Sequence, residues 1–202
     1  MIKRDHYIAL KTILRKEINR IMRIWSQTLL PPLITQTLYF VIFGKFIGSQ
    51  VRSINGVSYM EFIVPGLVMM AVISNAYGNV VASFYGAKFQ RNIEEILVSP
   101  TPDWVVILGY VLGGMARGVM VGGLVFLVSL FFAHPMVTHW WAVILFTLLS
   151  CIVFSLAALI NGLFARNFDE VAFFQNFILT PFIYLVYQYC YRYSAQCKQV
   201  CG

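Results

Sequence analysis

Five long apolar runs set the terms on which this chain can fold: 29–48, 59–85, 104–133, 140–165 and 171–189, separated by short stretches that hold most of the charge. A helix rises about 1.5 Å per residue and a bilayer core is about 30 Å thick, so roughly 20 apolar residues make one crossing. Each run is close to that length or beyond it. In lipid no water satisfies a backbone N–H or C=O, so a spanning segment must be a helix or a strand of a closed barrel. The alternating pattern of a barrel strand is absent from these runs, so the expected fold is an all-α integral membrane protein with about five transmembrane helices. Composition agrees: with 59% of residues hydrophobic and 11% charged, too little polar surface exists to coat a water-soluble globule of 202 residues.

The run edges are marked a second time by Trp25, Tyr59, Tyr85, Trp104, Trp140 and Trp141, because Tyr and Trp rings favour the headgroup level, half buried and with the polar atom wet. Orientation follows from Lys and Arg. The segment before the first run carries Lys3, Arg4, Lys11, Arg15, Lys16, Arg20 and Arg23, and the loop before the third carries Lys88 and Arg91, whereas the loop after the first run offers only Arg52, with Lys45 just inside the run. The N-terminus and the 88–103 loop are therefore expected in the cytoplasm. Five crossings then put the C-terminus outside, against the weak contrary signal of Arg192 and Lys198. This orientation accounts for the net charge of +7 without nucleic acid as a partner. The first run also starts too far along the chain to read as a secretory signal.

The basic segment has order of its own. Tyr7, Leu10, Leu14, Ile18, Ile21 and Trp25 recur every three or four residues and form one apolar stripe, with Lys11, Arg15, Arg20 and Arg23 on other faces. That pattern predicts an amphipathic helix in the cytoplasmic interface, apolar face toward membrane lipids and cations among anionic headgroups. The 88–103 loop reads KFQRNIEEILVSPTPD, with Phe89, Ile93, Ile96 and Leu97 at helical spacing, Glu94 and Glu95 forming an acidic face, and Pro100 and Pro102 ending the helix. On periodicity alone this short helix is a connector.

Set side by side, the amphipathic start, RNIEEILVSPTP and FARNFDEVAFFQNFILTPFIYL resemble an ABC-2 type permease, the membrane half of a bacterial ABC exporter, and are similar to enterobacterial inner-membrane transport permeases. The resemblance covers about 1–185. It implies that the first segment is an interfacial connecting helix and that the loop after the second span is a coupling helix. Arg91, Glu94, Glu95 and Leu97 would then dock on a separate ABC ATPase subunit, with the connecting helix at Lys11, Arg15, Arg20 and Arg23 beside them. The same likeness implies export across the bacterial inner membrane by a permease that acts as a homodimer. Relatives continue after FILTPFIYL with a glycine pair, a re-entrant outer segment and a sixth span, whereas this chain reads VYQYCYRYSAQCKQVCG. The expectation is thus an incomplete membrane domain over 1–185 and an atypical tail over 186–202.

The chemistry-bearing residues agree with a permease rather than an enzyme. The sequence contains no G-x-x-x-x-G-K-[ST] loop to cradle nucleotide phosphates, so ATP hydrolysis is expected on another chain. No cofactor or metal is expected: His134 and His139 flank Pro135 without a nearby Cys or carboxylate. Cys151 stands within the fourth run, where a small apolar residue is expected, and Cys190, Cys197 and Cys201 crowd the tail. A secondary transporter is the alternative reading, but it would carry intramembrane carboxylates for ion coupling, and Glu61, Asp169 and Glu170 lie near run ends. A membrane-embedded enzyme or assembly factor would need a convergent acid, base or metal cluster, which the sequence does not suggest.

Two features of the third run call for tertiary partners. Gly109, Gly113, Gly114, Gly118, Gly122 and Gly123 give overlapping small-xxx-small spacings, which let helix backbones approach closely, within one protomer or across a dimer. Arg117 in the middle of the run is a cation that costs several kcal/mol unless it is paired or hydrated. Glu61, near the outer end of the second run, is the expected partner; the alternative is a wet export path, with Asn75, Asn79 and Asn161 adding hydrogen bonds. The Lys and Arg asymmetry makes the topology testable. A cysteine placed at Ser99 should resist a membrane-impermeant thiol reagent in intact cells and react once the membrane is opened; labelling from outside would reverse the assignment.

Overall fold

The computed structural model describes residues 2–43, 59–90, 94, 98, 101–132 and 140–182. Among the described residues the α-helices run in the order α1 (Ile2–Arg23), α2 (Trp25–Val41), α3 (Tyr59–Phe89), α4 (Asp103–Ser129), α5 (Trp140–Phe164) and α6 (Phe168–Phe174), and the π-helical turn Gln175–Leu179 follows α6. No strand occurs among the described residues. Among the described residues three helical stretches are long and apolar enough to cross a membrane: Ile63–Phe89, Asp103–Ser129 and Trp141–Phe164. They correspond to the second, third and fourth runs. The first and fifth runs extend past the described residues, as does the tail from 183.

Local chemistry explains where these helices break. α1 passes into α2 through Ile24 alone, whose φ of −113° and ψ of 34° leave the helical region. α2 then carries Pro31 and Pro32 within it; neither has an N–H to donate to the preceding turn, so the backbone there is loosened. α4 starts at Pro102, extended at φ −68° and ψ 143°, with Asp103 in its first turn to offset the positive helix end.

α3 occupies the centre, packed against α4 and α5. Met69, Ile73, Tyr77, Val80, Val81 and Phe84 of α3 meet Tyr110 and Val111 of α4 and Phe154, Ala158 and Leu159 of α5 in the largest apolar cluster. A second cluster joins Phe40 of α2 to Val64 and Ala71 of α3 and to Val121 and Val125 of α4. The outer surface is also apolar: Trp141, Leu145, Leu149, Val153, Ile160 and Leu163 of α5 are all exposed. An exterior of this kind is solvated by lipid rather than water.

The glycines of α4 that meet other helices fall on two faces, with Gly113 and Gly114 about 100° apart at the edge between them, and each face admits different neighbours. A Cβ on Gly114 would lie 2.5 Å from Val80 of α3 and 2.7 Å from Ser155 of α5, and one on Gly118 would lie 3.0 Å from the Val72 carbonyl oxygen and 3.3 Å from Cys151 Sγ. These, with Gly122 against Val72, form the face for α3 and α5. Gly109 and Gly113 instead receive Ile13 and Glu17 of α1, whose atoms would lie 2.5 and 2.9 Å from the added Cβ. Five of the six glycines therefore pack within one protomer; Gly123 has nothing within 4 Å.

α1 and α4 run parallel. His6 meets Trp104, with ring centroids 5.9 Å apart, then Ile13 meets Gly109 and Glu17 meets Gly113. α2 continues the same course, ending with Phe40 stacked on Phe132 at 5.7 Å. The face of α1 turned to the bundle is set by Leu10, Ile13, Leu14, Glu17, Arg20 and Ile21. This corrects the stripe expected from apolar periodicity: Tyr7 is 66% exposed and Trp25 57%, while Glu17, a polar residue, is 2% exposed. Arg20, expected like Lys11, Arg15 and Arg23 on a face away from the stripe, turns inward, whereas the other three are exposed. The reason is the neighbour: glycine clefts in α4 and polar groups on α3 offer a charged pair better partners than an apolar stripe would find.

Replacing Gly118 with Val should lower the unfolding temperature in detergent, by an overpacking cost of about 1–3 kcal/mol. Gly123→Val should leave it nearly unchanged. Equal effects at the two sites would show that close helix approach at Gly118 is not what holds α4 in place.

Candidate functional site

Asn79 and Ser83 stand one turn apart on α3, Glu17 and Arg20 one turn apart on α1, and Arg117 projects from α4 beside them. Removing the side chain at Gly113 makes room for Glu17 at the seam of the three helices. A carboxylate so deeply buried must have its lone pairs satisfied. Glu17 Oε1 accepts a very short hydrogen bond from Ser83 Oγ, and its Oε2 accepts from Arg20 Nη2 at 3.1 Å and from Asn79 Nδ2 at 3.5 Å. Arg20 Nη2 also donates to Asn79 Oδ1 at 2.7 Å and to the Asn79 carbonyl oxygen at 3.3 Å. The ion pair between Arg20 and Glu17 thus ties α1 to α3 through a shared asparagine.

Arg117 is the less satisfied of the two cations. Its Nη1 reaches Asn79 Oδ1 at 3.5 Å, and its buried Nε has no hydrogen-bond partner. The expected partnership with Glu61 is overturned by distance. Glu61 lies eighteen positions before Asn79 on the same helix, a rise of about 27 Å, far beyond the reach of two side chains. The depth expected for Arg117 from its own helix was compatible with a pair, but α3 and α4 pack with Gly118 against Val72 and Gly114 against Val80, which brings Arg117 to the Asn79 end.

The other expected polar residues are dispersed. Asn75 Nδ2 donates to the Ala71 carbonyl oxygen of its own helix at 2.8 Å, and Asn161 Nδ2 donates to the Tyr77 hydroxyl at 2.6 Å, joining α5 to α3. In the 88–103 loop Glu94 is helical and exposed, whereas Arg91, Glu95 and Leu97 lie outside the described residues. The base of that loop is held firmly. Lys88 Nζ donates to the carbonyl oxygens of Gly162, Leu163 and Ala165 at 3.2, 2.7 and 2.9 Å, and Tyr85 Oη donates to that of Arg166 at 3.0 Å. An ammonium there meets the carbonyls that a helix end leaves unpaired, and the negative end of the α5 dipole favours it. His134 and His139 fall outside the described residues, among which no group of three or more His, Cys, Asp or Glu is placed to hold a metal ion.

Glu17 and Ser83 were missed by sequence reasoning, which counted only apolar residues when laying out the α1 stripe. Two signals pointed to them: an i,i+3 Glu–Arg pair on α1, and an i,i+4 Asn–Ser pair within an apolar run on α3.

Comparison with known proteins places these helices in context. The family model described as ABC-2 type transporter matches residues 8–187. The chain is 58% identical over 181 residues to Inner membrane transport permease YadH of Escherichia coli K12, covering 89% of this chain and 70% of that protein, and equally so to YadH of Shigella flexneri. It is 26% identical over 159 residues to Nodulation protein J of Rhizobium meliloti, covering 73% of this chain and 57% of that protein. No solved structure matches the chain significantly.

If Glu17 and Arg20 act as a pair, Glu17→Gln and Arg20→Gln should each destabilise the fold, by about 3–5 kcal/mol where a buried charge is left unpaired, and the double variant should lose less than the two losses combined. Unfolding in mild detergent, followed by thermal shift, measures this. Simple additivity would mean the two charges contribute separately.

Proposed function

The chain belongs to the ABC-2 type transporter family, and from that premise we propose that it is the membrane-spanning permease subunit of an ATP-driven exporter, with ATP hydrolysed by a separate ABC subunit. The observation that carries this reading is the family match over 8–187, together with three apolar helices long enough to cross a bilayer. The family match and the name of the YadH relatives support a membrane transport permease; the export direction, the separate ATPase and the residue roles are our reading. The inner membrane is the location named for the YadH relatives, and we assign it here too, with a cytoplasmic N-terminus, five crossings, and 1–185 as one membrane domain that works as a homodimer.

In this scheme the segment 91–98, whose periodicity predicts a short helix, is the coupling element. Arg91, Glu94, Glu95 and Leu97 form the surface offered to the ATPase, and α1 lies beside it with Lys11, Arg15 and Arg23 outward among lipid headgroups. Two sets of contacts support such transmission. Lys88 fastens the start of the 88–103 loop to the end of α5, so a push on the loop is carried to a spanning helix. The Glu17–Arg20 pair fastens α1 to α3, so α1 moves with the same body.

Co-expression with a candidate ABC ATPase subunit tests the docking surface. Glu94→Lys combined with Glu95→Lys should reduce co-purification at least tenfold, the scale expected when like charges replace a complementary pair at an interface, at roughly 1.4 kcal/mol per decade. Unchanged co-purification and unchanged ATPase stimulation would remove the docking assignment.

A further inference from the structure

We propose that Arg117, with Arg20 beside it, holds the phosphate of an anionic phospholipid at the seam of α1, α3 and α4. Two guanidinium groups converge on one oxygen, Asn79 Oδ1, at 2.7 and 3.5 Å, and the one carboxylate among them, Glu17, is already engaged by Ser83, Arg20 and Asn79. The seam therefore carries one positive charge more than it balances. In a membrane protein an uncompensated cation is costly, and a bound anion removes that cost. Arg117 has donors to spare: its only hydrogen bond among the described residues is long, and its Nε has none.

The surroundings select the anion. A guanidinium fork matches a phosphate, which can take two parallel N–H···O bonds. Arg117 stands level with Arg20, so exposed Lys16 and Arg23 lie within a turn on α1, and exposed Trp25 follows. Basic residues beside a Trp are what a protein presents at headgroup level. Ile18 and Met22 of α1 and Val119 of α4, about 160° round their helices from Arg20 and Arg117, are exposed at the same level, so lipid rather than water bathes the outside of these helices. The site thus takes a phosphate group borne on lipid, from the leaflet that α1 faces. The proposal rests on the chain being a membrane protein and not on any ATPase partner.

The test uses the purified chain alone, so that its outcome is separate from that of the docking experiment. Reconstituted in phosphatidylcholine nanodiscs and titrated with phosphatidylglycerol, the wild type should rise in unfolding temperature with added lipid. It should retain one phosphatidylglycerol per protomer in native mass spectrometry. Arg117→Gln should weaken that retention about tenfold, the scale of one charge-assisted contact, Arg117→Lys should be intermediate, and Arg52→Gln should match wild type. Equal retention by wild type and Arg117→Gln overturns the proposal. If Arg117→Gln does not fold, the decision passes to Arg117→Lys, for which wild-type affinity overturns the forked contact. Inorganic phosphate that reproduces the full stabilisation in phosphatidylcholine discs overturns the lipid as the source.

Discussion

Close approach at the glycines of α4 is the constraint on which the rest of the structure depends. In lipid there is little hydrophobic force between helices, so association relies on tight packing and on hydrogen bonds across the contact. Gly114, Gly118 and Gly122 bring α4 against Val80, Ala76 and Val72 of α3, and Gly109 and Gly113 bring α1 against the adjacent face. One helix thereby becomes the common wall of two contacts. The register of everything else follows: where α3 slides along α4 decides which polar residues meet, and it is Asn79 that meets Arg117.

The charged seam is a consequence of that register. With α1 running parallel to α4, Glu17 and Arg20 are delivered to Asn79 and Ser83, and both find partners on α3. Such a pair is weak evidence for added stability, since an apolar replacement of both members can do as well, but it strongly specifies one arrangement of α1 on the bundle. Ile24 and the two prolines of α2 leave the chain loosened just after this anchor, so α1 is attached to the bundle by side chains more than by a stiff helix.

Much of the architecture was legible in the residues. The runs at 59–85, 104–133 and 140–165 became α3, α4 and α5, because length and apolarity in lipid leave the backbone no alternative to a helix. The glycine run correctly signalled close packing, but spacing alone does not name the partner, since a small-xxx-small face looks the same whether the neighbour lies in the same chain or in another. The α1 stripe was read one step around the helix from its true position. Counting apolar residues assumes that the buried face is apolar, and this face buries Glu17. The Arg117–Glu61 pairing failed for a related reason: depth estimated along each helix separately carries no information about how far two helices are staggered.

Composition and run length were enough by themselves to determine a helical membrane protein, and the motifs RNIEEILVSPTP and FARNFDEVAFFQNFILTPFIYL were enough to indicate its family. Apolarity and run length express the solvent and the single helix, which act on each segment independently. Which side chains meet across α1, α3 and α4 was decided only in three dimensions. Contacts there depend on the relative rotation and stagger of whole helices, and a shift of one residue in either exchanges a buried carboxylate for an exposed one.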